Sequence, residues 1–158
     1  MQPKISVRTE PFDAAAESAA LTKGRADIGA LVSFIGLCRD EGGALAALEL
    51  EHYPGMAEEE MARVAQEAAR RWPLMGLTAI HRSGRIAPGE PIVLVIAASG
   101  HRAAAFAAAE FMMDYLKTRA PFWKKEWRRD GTAGDWVEAK DHDDAAMERW
   151  REPGKRGE

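Results

Sequence analysis

The chain has 158 residues, 46% of them hydrophobic and 30% charged, with 25 acidic against 22 basic side chains for a formal net charge of −3. That length suits one domain better than two, and the slightly acidic balance excludes a uniformly cationic nucleic-acid binder while leaving room for a local basic patch. Thirty alanines dilute the apolar set and leave 43 larger hydrophobic residues for a core, so help from a subunit interface is expected.

Asp13 is placed to cap a short helix ending near Leu21. Strand-like runs follow at Ile28 to Ile35 and Ala44 to Tyr53, each rich in Val, Ile or Leu and bounded by glycine, proline or polar residues. Met56 to Trp72 reads as a helix, with Glu58, Glu59 and Glu60 early and Arg70 and Arg71 late, as the helix dipole favours, and Pro73 ends it. Leu77 to Arg82 and Pro91 to Ala98 read as two further strands. A third helix is expected from His101 to about Thr118, with Ser99 as its cap. Phe106, Glu110, Met113 and Lys117 share one face of it, and Phe106 and Met113 are expected in the core.

Beyond Pro121, Phe122 to Arg129 and Asp135 to Ala139 read as two strands about the turn-like stretch Asp130 to Gly134. Interspersed strands and helices without a repeat give a single α+β or α/β domain over residues 1 to 150, with a disordered tail over 151 to 158. Cys38 alone excludes a disulfide framework and a multi-cysteine zinc site. The N-terminal residues lack the apolar stretch of a signal peptide, and no run approaches the roughly 18 apolar residues of a membrane span. A soluble cytoplasmic protein is the expectation.

The segment Lys117 to Arg129 holds six basic residues and one acid, interleaved with Phe122, Trp123 and Trp127. On the residues alone it reads as a solvated strand face with carboxylate partners, or as an anion site. Strand alternation puts Lys124, Glu126 and Arg128 on one side and Trp123, Lys125 and Trp127 on the other. His101 and Arg102, at a helix start, form a second candidate anion site, and Arg39, at a strand end, a third. Cys38 reads as a buried or bystander thiol. The four histidines lack metal-site spacing, and there is no Walker loop, GxGxxG or GxSxG motif, so neither a metal nor a cofactor is expected.

Three segments carry a resemblance: Leu50-Glu51-His52-Tyr53-Pro54-Gly55-Met56, Ser99-Gly100-His101-Arg102, and Met113-Asp114-Tyr115-Leu116-Lys117-Thr118-Arg119-Ala120-Pro121-Phe122-Trp123-Lys124. Together with Trp136-Val137-Glu138-Ala139, they resemble the large, catalytic subunit family of molybdopterin synthase, over about Ile5 to Trp150. The resemblance implies an α/β-hammerhead domain with a small added β subdomain. It further implies a homodimer that binds a small sulfur-carrier subunit at each end, a heterotetramer in all. The implied reaction converts cyclic pyranopterin monophosphate to molybdopterin with two sulfurs from the carrier's C-terminal Gly-Gly thiocarboxylate.

Carried over by position, Lys117 matches the lysine nearest the carrier's last glycine, and Lys124 a second lysine of that pocket; both are expected to be catalytic. Arg39, His101 and Arg102 match residues that hold the substrate's anionic group, in a pocket drawn from both protomers. Lys125 and Glu126 adjoin Lys124 in the matching segment and are expected to bind substrate, although alternation points Lys125 away. Phe34 and Met113 are expected to wall the channel for the carrier tail, Met113 lying one turn before Lys117. Leu37 and Cys38, ahead of Arg39, depart from the family pattern. The competing class is a single-strand nucleic-acid platform stacking bases on Trp123 and Trp127.

Overall fold

Four strands rich in apolar residues build the main sheet. In the computed structural model, which describes residues 1–137 and 146–151, the elements run β1 (Lys4–Arg8), α1 (Ala14–Thr22), β2 (Ala30–Leu37), β3 (Leu45–His52), α2 (Met56–Arg71), β4 (Leu74–Arg82), β5 (Gly84–Ile86), β6 (Pro91–Ser99), α3 (Arg102–Thr118) and β7 (Phe122–Arg128). The main sheet has the order β1-β4-β6-β2. β1 runs parallel to β4, and the other neighbours are antiparallel. A smaller antiparallel sheet has the order β5-β3-β7. The architecture is thus α+β, with a hammerhead-like core and a small β subdomain.

β4 and β6 are central and covered on both faces, which is why Leu74 to Ile80 and Pro91 to Ala98 are mostly apolar and carry no charge. Leu77, Ala79, Val93, Val95 and Ala97 face α2 and α3, whereas Ile80, Leu94 and Ile96 pack under Phe12, Leu21 and Leu31. Ala105, Ala108 and Ala109 put small side chains on the buried face of α3, so that Phe111, Met112 and Leu116 can reach the sheet and α2. Burying a ring such as Phe111 completely contributes about 1.5–3 kcal/mol. Trp72 and Trp150 both meet that ring edge-on, at 5.3 and 5.6 Å between centroids. Trp150 is held there because its indole N–H donates to Asp114 and its carbonyl accepts from Arg71.

Asp13 caps α1 as its position suggests, accepting from the Ala16 N–H at 3.0 Å. Gly55 turns the chain into α2 with φ of 88°, and its N–H donates to the Glu58 carboxylate. Other expectations need correction. β2 lies two residues later than its apolar run suggests, β4 starts three residues earlier, and both β1 and the three-residue β5 are additional. Ser99 is no cap: it ends β6, its hydroxyl donates to the Pro73 carbonyl at 2.8 Å, and His101 occupies the cap position without a side-chain bond.

Phe106 is not in the core but 62% exposed, because its face of α3 lies beside the open edge of the main sheet at β2 rather than over its middle. Met113, on the same face, is half-buried. Of the expected strand at 135–139, Val137 forms an isolated bridge to Lys124, and positions 138 and 139 lie outside the described residues. The expected tail lies outside them too, except Arg151, which bonds back to Glu148.

Candidate active site

The two sheets meet at the C-terminal end of α3. β7 follows α3 after the short turn through Pro121 and pairs with β3 in a register that sets Lys124 opposite Leu50 and Glu126 opposite Leu48. Alternation then sends Lys124, Glu126 and Arg128 to one face, where they line a cleft of about 470 Å³ with Lys117 and the segment Leu37 to Gly42. Cys38 is the floor: it is 3% exposed, packed with Leu50 and Ile86, and burial pushes its thiol up, so it is a poor nucleophile. Its backbone is pinned to the turn before β6 by bonds to Glu90 and Gly89, which fixes the start of the Arg39 loop.

Among the described residues, Arg39, Lys117, Lys124 and Arg128 bring four cationic groups to the cleft, against Asp40, Glu41 and Glu126. Asp40 is already engaged, since it accepts from the Leu45 N–H and pairs with Arg129 outside the cleft. Arg39 is 78% exposed in its side chain and pairs with Glu41, an equally solvated carboxylate that an anionic ligand can replace at little cost. The cleft is therefore suited to a multiply charged anion.

A narrower apolar channel of about 100 Å³ opens beside it, sharing Leu37, Ile92 and Lys117 and walled by Phe34 and Met113. Five of the sequence-derived site residues thus gather around Lys117: Lys124, Arg39 and Glu126 in the cleft, and Phe34 and Met113 in the channel. Three do not join them. Lys125 faces the opposite side, its ammonium 5.2 Å from the rings of both Trp127 and Trp136. His101 and Arg102 are exposed at the other end of α3, roughly 22 Å along the helix from Lys117 at 1.5 Å per residue.

Trp127 does not offer the open face a stacking platform needs: Arg85 sits 4.2 Å from its ring centroid and its indole nitrogen is buried. Among the described residues no cluster of three His, Cys, Asp or Glu side chains could hold a metal.

His81 is the residue that sequence reasoning missed. It shares strand parity with Leu77 and Ala79, so a polar ring is set on the apolar, helix-facing side of β4; that misplaced polarity was the available signal. The ring stacks on Phe122 with centroids 3.9 Å apart and lines the channel beside Lys117. Its Nδ1 lies 2.8 Å from the Arg82 carbonyl oxygen, which can only accept, so Nδ1 carries the proton and Nε2 the lone pair.

Burial first, and then the neighbouring Lys117 and His52, push His81 down to about 4, against the opposing effect of the Arg82 hydrogen bond. An unfolded chain binds a proton there near pH 6.5, and the folded one only near 4. Stability is therefore complete above pH 6.5 and falls as pH drops through that window, by up to about 1.4 kcal/mol per pH unit. Urea melts between pH 7 and 4.5 should show this slope, and His81→Phe should flatten it.

Residues 7–119 match the model of the MoaE protein family. The chain belongs to that family. It is 67% identical over 151 residues to the molybdopterin synthase catalytic subunit of Mesorhizobium japonicum, covering 96% of this chain and 95% of that protein. A solved structure of the molybdopterin biosynthesis MoaE protein from Burkholderia ambifaria superposes with a TM-score of 0.82 at 50% identity, covering 94% of this chain and 97% of that one. A chain from the complex of subunits 1 and 2 of the molybdopterin-converting factor of Helicobacter pylori shares the fold at 20% identity, with a TM-score of 0.64 over 89% of this chain and 92% of that one.

Proposed function

We propose that the chain is the catalytic subunit of a molybdopterin synthase. It converts cyclic pyranopterin monophosphate to molybdopterin with two sulfurs, one from the C-terminal thiocarboxylate of each of two small sulfur-carrier subunits. The observation that carries this reading is the convergence of Lys117 and Lys124, from a helix and a strand, on one cationic cleft with an apolar side channel.

The channel suits a side-chain-free glycine tail, because its volume of about 100 Å³ leaves room for little beyond backbone. The cleft suits the phosphorylated pterin. At their junction Lys117 and Lys124 orient the thiocarboxylate and stabilise the negative charge that develops on its acyl oxygen when water adds to the acyl carbon. The C–S bond then breaks, the sulfur stays on the pterin and the carrier leaves as a carboxylate. Arg39 and Arg128 stand farther out, where a phosphate would lie.

His101 and Arg102 enter the substrate site from a second copy of the chain. A helix cannot bring its two ends to one point, so these residues serve the cleft of a partner protomer or none. A homodimer also accounts for the open edge of β2, where Phe34, Ile35 and Leu37 are each more than 40% exposed, and for exposed Phe106 on the adjacent helix. With one carrier on each protomer the assembly is a heterotetramer. The reducing cytoplasm, which leaves Cys38 a thiol, is the proposed compartment.

The test is reconstitution with the thiocarboxylated carrier and cyclic pyranopterin monophosphate, followed by detection of the dithiolene product; absence of product would overturn the reading. Arg102→Ala should raise the KM for the pterin about tenfold or more through lost charge-assisted bonds, with carrier affinity unchanged. Lost carrier binding with an unaltered pterin KM would reassign the residue.

A further inference from the structure

Resting on the channel reading above, we propose that His81 is a recognition residue for the carrier tail: its Nε2 accepts a hydrogen bond from a backbone N–H of the terminal glycines, while Lys117 donates to the terminal acyl group. Of the nine described residues lining the channel, only His81 and Lys117 carry a nitrogen or oxygen in the side chain, and an ammonium can only donate. A glycine tail entering between Phe34 and Met113 leaves water with its amide N–H groups, and an amide donor in apolar surroundings must find an acceptor. Among the described lining side chains His81 is the strong acceptor, the Met113 thioether being a weak one.

Three features fix that acceptor in place. The Arg82 carbonyl takes the Nδ1 proton, so the lone pair belongs to Nε2. Stacking on Phe122 sets the plane of the ring, and Phe122 opens the strand that carries Lys124. The ring is also neutral at physiological pH, held so by burial and by the charge of Lys117. A carboxylate at this position would accept as well, but it would pair with Lys117 and cancel the field that the lysine directs at the acyl group. A neutral acceptor holds the tail and leaves that charge intact.

The experiment measures the affinity of the full-length protein for its small carrier subunit in the carboxylate form, with Gly-Gly present or deleted. Wild-type protein, His81→Phe and His81→Gln are compared. Phenylalanine keeps the ring stack and removes the lone pair; glutamine returns an acceptor near the Nε2 position. The expected result is that His81→Phe binds the intact carrier about tenfold more weakly, binds the truncated carrier as wild type does, and that His81→Gln recovers most of the loss.

In the wild-type protein labelled with 15N-histidine, the His81 Nε2 resonance should move on adding intact carrier and stay still with truncated carrier, while Nδ1 keeps its proton. That readout needs no variant to fold, and a purely structural ring would not produce it. Wild-type-like binding of intact carrier by His81→Phe, or an Nε2 signal indifferent to the tail, overturns the role of His81 and leaves the proposed function standing. Wild-type affinity that ignores the deletion of Gly-Gly overturns the channel reading itself.

Discussion

Lys117→Ala is expected to lower molybdopterin formation by at least about 100-fold while the protein folds and binds its carrier. Lys117 is exposed in the last turn of α3 and lines both the cationic cleft and the apolar channel. Alanine is the best helix former, and the stability at stake is the favourable contact of a lysine with the helix C-terminus, about 0.3–1 kcal/mol. The catalytic loss is larger because the ammonium stands where the tail and the substrate meet, and charge stabilisation there acts chiefly in the transition state. Removing one such donor from a preorganised site commonly costs 100- to 1,000-fold in turnover. Single-turnover assays with thiocarboxylated carrier measure the drop, and a parallel binding titration shows whether the carrier still docks. Turnover within a few-fold of wild type would remove Lys117 from the chemistry.

Much of this arrangement is legible in the residues, and the illegible parts have physical reasons. α1, α2, β3 and β6 follow from caps, prolines and apolar runs, since those signals are local. β1 is not legible because Lys4 to Arg8 is a short alternating edge strand whose partner, Thr78 to Arg82, lies some seventy residues away in sequence. Ser99 reads as a cap from sequence because its hydroxyl has the right chemistry; only the fold reveals that the Pro73 carbonyl takes it. Phe106 fails for a related reason, since periodicity gives the face of a helix but not whether that face overlies the middle of a sheet or its edge.

The same distinction sorts the site. Lys124, Glu126 and Lys125 follow strand alternation, which is local, and Lys117 lies seven residues before Lys124 across one tight turn, so their meeting needs little tertiary information. His101, Arg102 and Arg39 look equivalent in sequence as basic groups at element ends. In the fold Arg39 borders the cleft whereas the other two stand a helix length away. α3 thus carries a candidate anion site at its start and a candidate catalytic lysine at its end, and the helix holds the two apart within one chain.

Gly29→Ala is expected to strike both the fold and the first of those sites. A Cβ at position 29 would lie closer than 3.0 Å to the Gly100 carbonyl oxygen and 3.2 Å from its carbon, and both are backbone atoms. No rotamer relieves that overlap. Gly29 also donates its N–H to Ser99 at 3.0 Å, and the next residue, Ala30, pairs with Ser99 at the end of the β2–β6 ladder. The relief must therefore come from opening the ladder or turning the peptide that leads into His101.

Overpacking of this kind costs about 1–3 kcal/mol, which for a domain of this size lowers the Tm by roughly 2–12 °C. Calorimetry checks that shift. Gly100→Ala is the matched control, because a Cβ there meets nothing within 4 Å, and its Tm should stay close to wild type. Assayed below its melting range, Gly29→Ala should raise the KM for the pterin, since Arg102 is displaced, and leave carrier affinity unchanged, since the channel lies at the far end of α3. An equal loss of carrier affinity would mean that the two ends of α3 are coupled through the helix rather than independent. A KM and Tm like those of wild type would mean that the Gly29–Gly100 approach is not a constraint.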